Sequence, residues 1–277
     1  MRITLMQRAP IAQGAEEALS AIDAAAAEAA AGGSALLITP EMFLSGYAIG
    51  AEAVRDAAAP AEAAPWQSVG EIAARHGLTI VAGGPLLREG AVYNAALAFG
   101  PAGLLASFAK LQLFGDVDRE QFAAGSALSP VFEVAGWKVA LAICYDVEFP
   151  EIPRRLAIAG AELLAIPTAN MKPFTSVCTR LVPARAEENG LAIAYANYIG
   201  PEGPFDYCGL SCVAGPDGED LARAGEDATL LHAVLDRAHL AEIRRRTPYL
   251  ADLRRDLCHL SLVLRRPDGR PVFLVAD

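Results

Sequence analysis

Lysine is scarce in this chain. Lys110, Lys138 and Lys172 are the only lysines among 23 basic residues, so arginine supplies nearly all of the positive charge. Positive charge as a whole is in the minority: 33 Asp and Glu against 23 Lys and Arg leave a net charge of −10. Nonspecific nucleic-acid binding needs clustered cations to displace counterions, and this balance excludes it. The five cysteines (Cys144, Cys178, Cys208, Cys212, Cys258) are odd in number and form no CxxC pair. Cys208 and Cys212 lie four apart, but His232, His239 and His259 follow at no zinc-like spacing. The simplest reading is reduced thiols in a cytoplasm. The N-terminus, MRITLMQRAP, lacks the apolar core of a signal peptide. No uncharged apolar run reaches the roughly 18 residues of a membrane span. A Pro/Ser-rich linker is also missing, which favours one domain over two.

What is present is a core-forming composition. Of 277 residues, 53% are hydrophobic and 20% charged, with a mean hydropathy of +0.30. That excludes disorder, and the length excludes a small stapled scaffold. Strand-like apolar runs occur at 2–7, 35–39, 78–83, 92–99, 104–109, 137–143, 162–166, 191–196, 209–214 and 230–235. Several are continuous, as in strands buried on both faces. Helical stretches at 15–31, 63–76, 150–159, 175–189 and 237–246 alternate with them, and most end at a glycine suited to a C-cap. The alternation predicts a layered α/β domain with helices outside. PDG at 216–218 and 267–269 marks hairpin turns.

Three residues stand at the ends of apolar strands, and each is expected to follow a parallel strand, where α/β sheets place their sites. Lys110 closes LLASFAK. In a chain that otherwise uses arginine, a lysine suits a site that sets one compact ammonium against a developing oxyanion. Cys144, in VALAICYDVEFPE, sits in a strand-to-helix bend near amide N–H groups that favour a thiolate nucleophile. Glu41, in ALLITPEMFLSGY, has an apolar setting that raises a carboxyl toward general-base range. Together they form a complete set: a base, a nucleophile for a carbonyl or nitrile carbon, and a cation for the oxyanion. Each also has a plainer reading, as a first-turn acid, a solvent-reaching lysine and a small core residue.

These segments are familiar in combination. With PEMFLSGY, KLQLFGD and ICYDVEFPE in order, followed by PTANM (167–171), ARAEEN (184–189), YAN (195–197) and PDG at 216–218, the chain resembles the nitrilase, or carbon–nitrogen hydrolase, superfamily over about residues 1–260. The resemblance implies an α/β fold of the αββα four-layer sandwich type, with residues 261–277 as a C-terminal extension. It also implies homodimers formed through helices near the nucleophile, no metal or organic cofactor, and no membrane partner. A second acid after the lysine belongs to the pattern: Glu120 in DREQFAAG is the carry-over and Asp118 its competitor.

The segments are most similar to bacterial amidases, some of them stereoselective. Tyr145 stands where true nitrilases usually carry Trp, which lowers the nitrile option and leaves N-carbamoyl hydrolysis open. The expected reaction releases ammonia from a small carboxamide through a Cys144 thioester. The Tyr145 backbone N–H joins Lys110 at the oxyanion, and Tyr47, Asn170 and Met171 wall the pocket. Glu148 has three possible roles: meeting a cationic α-amino group, capping the helix at 150–159, or pairing with Arg154 or Arg155. Two rivals remain. One is a Cys–His hydrolase or glutaminase, which needs a positioned histidine. The other is a silent binding subunit on the same fold.

Overall fold

The computed structural model describes residues 1–11, 14–254, 262–265 and 271–274. The chain starts with β1 (Arg2–Gln7) and crosses by α1 (Ala15–Ala31) to β2 (Leu36–Ile38). It crosses again by α2 (Ala51–Ala57) and α3 (Trp66–His76) to β3 (Thr79–Arg88). Helical crossovers let β1, β2 and β3 run parallel. Next come β4 (Ala91–Gly100) and β5 (Gly103–Ala109), joined by tight turns that permit only antiparallel pairing. Lys110 therefore follows an antiparallel edge strand, which corrects the parallel strand expected before it.

After α4 (Gly115–Gln121) the chain builds a second sheet from β6 (Phe132–Val134), β7 (Trp137–Leu141), α5 (Glu151–Ile158), β8 (Leu163–Pro167), α6 (Val182–Asn189) and β9 (Ala192–Ala196). A small hairpin, β10 (Ile199–Glu202) and β11 (Phe205–Cys208), precedes β12 (Cys212–Ala214) and β13 (Asp220–Arg223). β14 (Thr229–Val234) then returns to pair with β1. The strand orders are β14-β1-β2-β3-β4-β5 and β13-β12-β9-β8-β7-β6. α7 (Arg237–Arg246) and α8 (Tyr249–Asp252) follow, then an antiparallel pair, β15 (Leu262–Arg265) and β16 (Pro271–Leu274).

The layering follows from strand alternation. Leu36 and Ile38 point to one cluster and Leu37 to another; Val139, Leu141 and Ile143 separate in the same way from Ala140 and Ala142. The shared cluster joins the inner faces of both sheets, from Ile3, Leu36 and Val81 to Val139, Leu163 and Ala194. The outer face of the first sheet packs on α1 and α3 through Ile22, Val69 and Ile72. The outer face of the second packs on α5 and α6 through Leu156 and Ala186. The central strands β2, β8 and β9 are thus covered on both sides, which is why the sequence shows continuous apolar runs there.

The helical stretch at 175–189 is divided into a π-helical turn, Val177–Leu181, and α6. Pro183 lies at the junction and has no N–H to continue the ladder. The strand expected at 209–214 shortens to β12, because Gly209 and Leu210 adopt positive φ (62° and 57°). α4 gave no apolar period, since its buried face consists of Asp118 and Gln121. The PDG at 216–218 turns between β12 and β13, with Gly218 N–H donating to Gly215 O at 2.9 Å. The PDG at 267–269, Cys258 and His259 lie outside the described residues, as do 261, 266–270 and 275–277 of the extension. Among the described residues no helix is long and apolar enough to cross a membrane.

Candidate active site

Glu41 sits just beyond β2, where the chain leaves the first sheet and touches the second: its N–H donates to Thr168 O at 3.2 Å. This crossing depends on Gly83 in β3. A Cβ there would stand 2.6 Å from Pro40 O and 2.7 Å from Met42 N, so only glycine lets the Glu41 segment lie flat on the strand. Met42 takes a left-handed φ of 52° to make the bend. Glu41 ends up 1% exposed.

Lys110 is held beside it by register. Its N–H donates to Asn94 O at 2.9 Å, extending the β4–β5 pairing by one residue. The Asn94 side chain in turn donates to Glu41 Oε1 at 2.7 Å. The Lys110 ammonium, fully buried, donates to Glu41 Oε1 and to Asp118 Oδ2, both at 2.7 Å. Asp118 Oδ2 also accepts the Phe114 N–H at 2.8 Å, which fixes the start of α4. One oxygen of each carboxylate is thereby used, while Glu41 Oε2 and Asp118 Oδ1 have no hydrogen-bond partner.

A buried ammonium between two carboxylates is stable only as a charged cluster, because removing any one charge strands the others. Burial works to lower the Lys110 pKa, but Glu41, Tyr47 and Asp118 hold it well above the ordinary lysine value. Burial pushes the Glu41 carboxyl up; Lys110 pulls it down, Asp118 pushes it up again, and the Asn94 bond lowers it. The outcome is a carboxyl held above its ordinary value.

Cys144 follows β7 and opens a 3-10 turn, Cys144–Glu148, with a left-handed φ of 44°. That conformation is costly for a residue with a Cβ and persists only where neighbours enforce it. Asp146 is the enforcer. Its Oδ2 accepts the Ile143 N–H at 3.0 Å, and its Oδ1 accepts Leu111 N–H at 3.2 Å and Gln112 N–H at 2.8 Å. One buried side chain thus ties the bend at Cys144 to the residues after Lys110. Burial pushes the Asp146 carboxyl up to about 7, against the pull of those N–H groups. Burial and then Glu41 raise the Cys144 thiol well above its ordinary value, while Lys110, Thr168 and Ala169 lower it. The Tyr145 N–H lies in the first turn of the 3-10 segment, where the turn itself supplies no acceptor.

The structure brings Glu41, Lys110 and Asp118 into one hydrogen-bonded cluster, with Cys144 in the field of Glu41 and Lys110, and it leaves Glu120 out. Glu120 is exposed on α4, because residues two apart on a helix face nearly opposite ways and Asp118 takes the inner side. Tyr47 is buried, with its ring 5.7 Å from Lys110 Nζ, and belongs to the outer core of the first sheet, as does Met171. Asn170 is fixed by Asn197, which accepts its N–H at 2.8 Å and donates to its carbonyl at 3.0 Å. Tyr145 packs edge-on against Phe114 and Phe149. Glu148 is half-buried at the end of the turn.

Sequence reasoning missed Asn94, Asp146 and Thr168. Each left a faint signal: a lone polar residue in a strand, an acid in an apolar bend, a threonine after a buried strand. The described histidines stand elsewhere. His76 pairs with Asp23 at 2.6 Å, His239 with Asp217 at 3.0 Å, and His232 meets Thr4 at 3.0 Å. None of the groups that shift Cys144 is a histidine.

A buried acid–lysine–acid cluster thus lies within electrostatic reach of a strained cysteine, and no described histidine joins it. Comparison with known proteins gives the family. The family model described as Carbon-nitrogen hydrolase matches residues 2–245. A hydrolase in the pqqF 5' region of Pseudomonas protegens is 46% identical over 224 residues, 80% of this chain and 79% of that one. An (R)-stereoselective amidase from Pseudomonas sp. is 32% identical over 246 residues, 88% of each chain. A solved amidase of Nesterenkonia sp. AN1, from the nitrilase superfamily, superposes with a TM-score of 0.81 at 36% identity, covering 93% of this chain and 96% of that one. The chain belongs to the carbon–nitrogen hydrolase family and is a hydrolase of the nitrilase superfamily.

The geometry separates the two candidate second acids. Asp118→Asn removes a charge-assisted bond to Lys110 and should cost about 1.5–3 kcal/mol in urea denaturation. Glu120→Gln should stay within about 0.5 kcal/mol. Equal effects would contradict the placement.

Proposed function

We propose that the chain hydrolyses a small carboxamide to a carboxylic acid and ammonia through a thioester on Cys144. Glu41 takes the thiol proton as sulfur attacks the amide carbon. The tetrahedral oxyanion is held by the Lys110 ammonium and the Tyr145 N–H, each such donor being worth about 2.7–4 kcal/mol. Glu41 passes its proton to the departing ammonia, then draws a proton from water as the water attacks the thioester. Collapse of that second tetrahedral intermediate breaks the C–S bond and releases the acid, and Glu41 returns the proton to the sulfur. Asp118 keeps Lys110 charged and placed.

The observation that carries this reading is the division of labour at Glu41. Oε1 is saturated by Lys110 and Asn94, while Oε2 is buried with no partner, leaving that oxygen free for a travelling proton. A raised carboxyl beside a raised thiol suits transfer between them better than an ordinary acid would. Among relatives, one amidase structure from Nesterenkonia sp. AN1, 36% identical, shows the result of Michael addition of acrylamide at its active-site cysteine. The curated relatives include several ω-amidases and the (R)-stereoselective amidase already described. A homodimer through helices near Cys144 belongs to the same reading. The four described cysteines are free thiols, which suits a cytoplasmic setting.

Ammonia release across a panel of carboxamides, nitriles and N-carbamoyl compounds tests the reading. Carboxamides should be turned over fastest, and Cys144→Ala should leave only the background rate. A variant that retains activity, or preference for another class, would overturn it.

The pH profile gives a second check. Because the Glu41 pKa is raised, activity should be lost on acidification above the ordinary carboxylate value, as the base becomes protonated. The Asn94 bond lowers that pKa, so Asn94→Ala should move the acid limb of kcat/KM to higher pH. A shift to lower pH, or none, would contradict the assignment of Glu41 as base.

A further inference from the structure

Glu148 ends the 3-10 turn that Cys144 begins. Such a turn has three residues per revolution, so Tyr145 and Glu148 stand in one column. Burial agrees: Asp146 and Val147 are fully buried, whereas Cys144, Tyr145 and Glu148 are partly open. The open column of the turn thus carries Tyr145, whose N–H the proposed mechanism uses at the oxyanion, and the Glu148 carboxylate, beginning one residue after Cys144.

None of the ordinary partners occupies that carboxylate. α5 starts after Pro150 with no side-chain cap. Arg154 donates to Glu188 O at 2.7 Å and lies 3.7 Å from the Glu188 carboxylate. Arg155 is exposed. Arg185 donates to the main-chain oxygens of Val147 at 3.1 Å and Glu148 at 3.0 Å, and to Glu188 Oε1 at 3.3 Å. Among the described residues, no hydrogen bond or ion pair within reach holds the Glu148 side chain. Burial pushes its carboxyl up, and Lys110 counters this more strongly than Arg185 does, which places Glu148 in the field of the site. Lys110 itself is committed to Glu41 and Asp118. Glu41, Asp118 and Glu148 outnumber the Lys110 and Arg185 cations around the turn, a setting that attracts a cation and repels an anionic substrate.

We infer that Glu148 binds a cationic amino group of the substrate, so that the enzyme acts on amino-carboxamides whose ammonium lies one or two carbons from the scissile carbonyl. This rests on the amidase reading above. The spacing fits. Three residues of a 3-10 turn rise about 6 Å, which spans an oxyanion at Tyr145, the short link to an ammonium, and one hydrogen bond to the carboxylate.

The test compares alaninamide with isobutyramide, its uncharged isostere, at pH 7, by ammonia release. Wild-type enzyme should prefer alaninamide. Glu148→Gln should lower kcat/KM for alaninamide about 10–100-fold, mainly through KM, and leave isobutyramide within about 3-fold. Glu148→Asp should recover part of the preference. Retained isobutyramide turnover shows that the variant is folded. A wild type that hydrolyses both amides without preference, or a variant that weakens both equally, overturns the inference and leaves the amidase reading intact. A wild type that releases ammonia from neither, or a Cys144→Ala enzyme that still does, sinks the amidase reading itself.

Discussion

One buried ammonium organises this site. Lys110 has no exposure, and its two charged bonds run to carboxylates from different parts of the chain, Glu41 after β2 and Asp118 in α4. Water contributes nothing to its solvation, so the protein must supply the counter-charge completely. That requirement locks three backbone segments together and leaves one free oxygen on Glu41. Arginine could not replace it, because a planar fork with five donors would need acceptors that two shared carboxylate oxygens do not provide. This accounts for a lysine in a chain that elsewhere prefers arginine.

The supports for that cluster come from both sheets. Asn94 serves twice, through its carbonyl to the Lys110 backbone and its amide to Glu41. Asp146 does the equivalent for Cys144, joining the bend there to the stretch after Lys110. Glu41 N–H on Thr168 O closes the circuit from the first sheet to the second. The left-handed conformations at Met42 and Cys144 fall at the two residues where the chain must bend to meet this arrangement. Chemistry and strain therefore coincide, and the cost is met by the fully covered sandwich beneath.

Much of this was legible beforehand. Continuous apolar runs identified nearly all the sandwich strands, since a strand covered on both faces carries no polar alternation. Glu41, Lys110 and Cys144 were readable because each is a polar residue where an apolar strand ends. Other features were hidden for identifiable reasons. β5 reads like a parallel strand in composition, and only the short turns of the β3–β4–β5 meander make it antiparallel. α4 turns polar side chains inward, so its period vanished and Glu120 was preferred to Asp118 on pattern alone. Asn94 and Asp146 act through main-chain groups of residues far away in sequence, and no spacing encodes that.

The central claim is that Glu41 activates Cys144 across a cluster held by Lys110. The most direct measurement is the pH dependence of iodoacetamide alkylation at Cys144, resolved from the other cysteines by peptide mass analysis, in wild type and Glu41→Gln. The account predicts rapid wild-type labelling that falls away on acidification as Glu41 is protonated, and slow labelling of Glu41→Gln that rises only as the thiol itself ionises at alkaline pH. Equal labelling rates in the two proteins at neutral pH would contradict it.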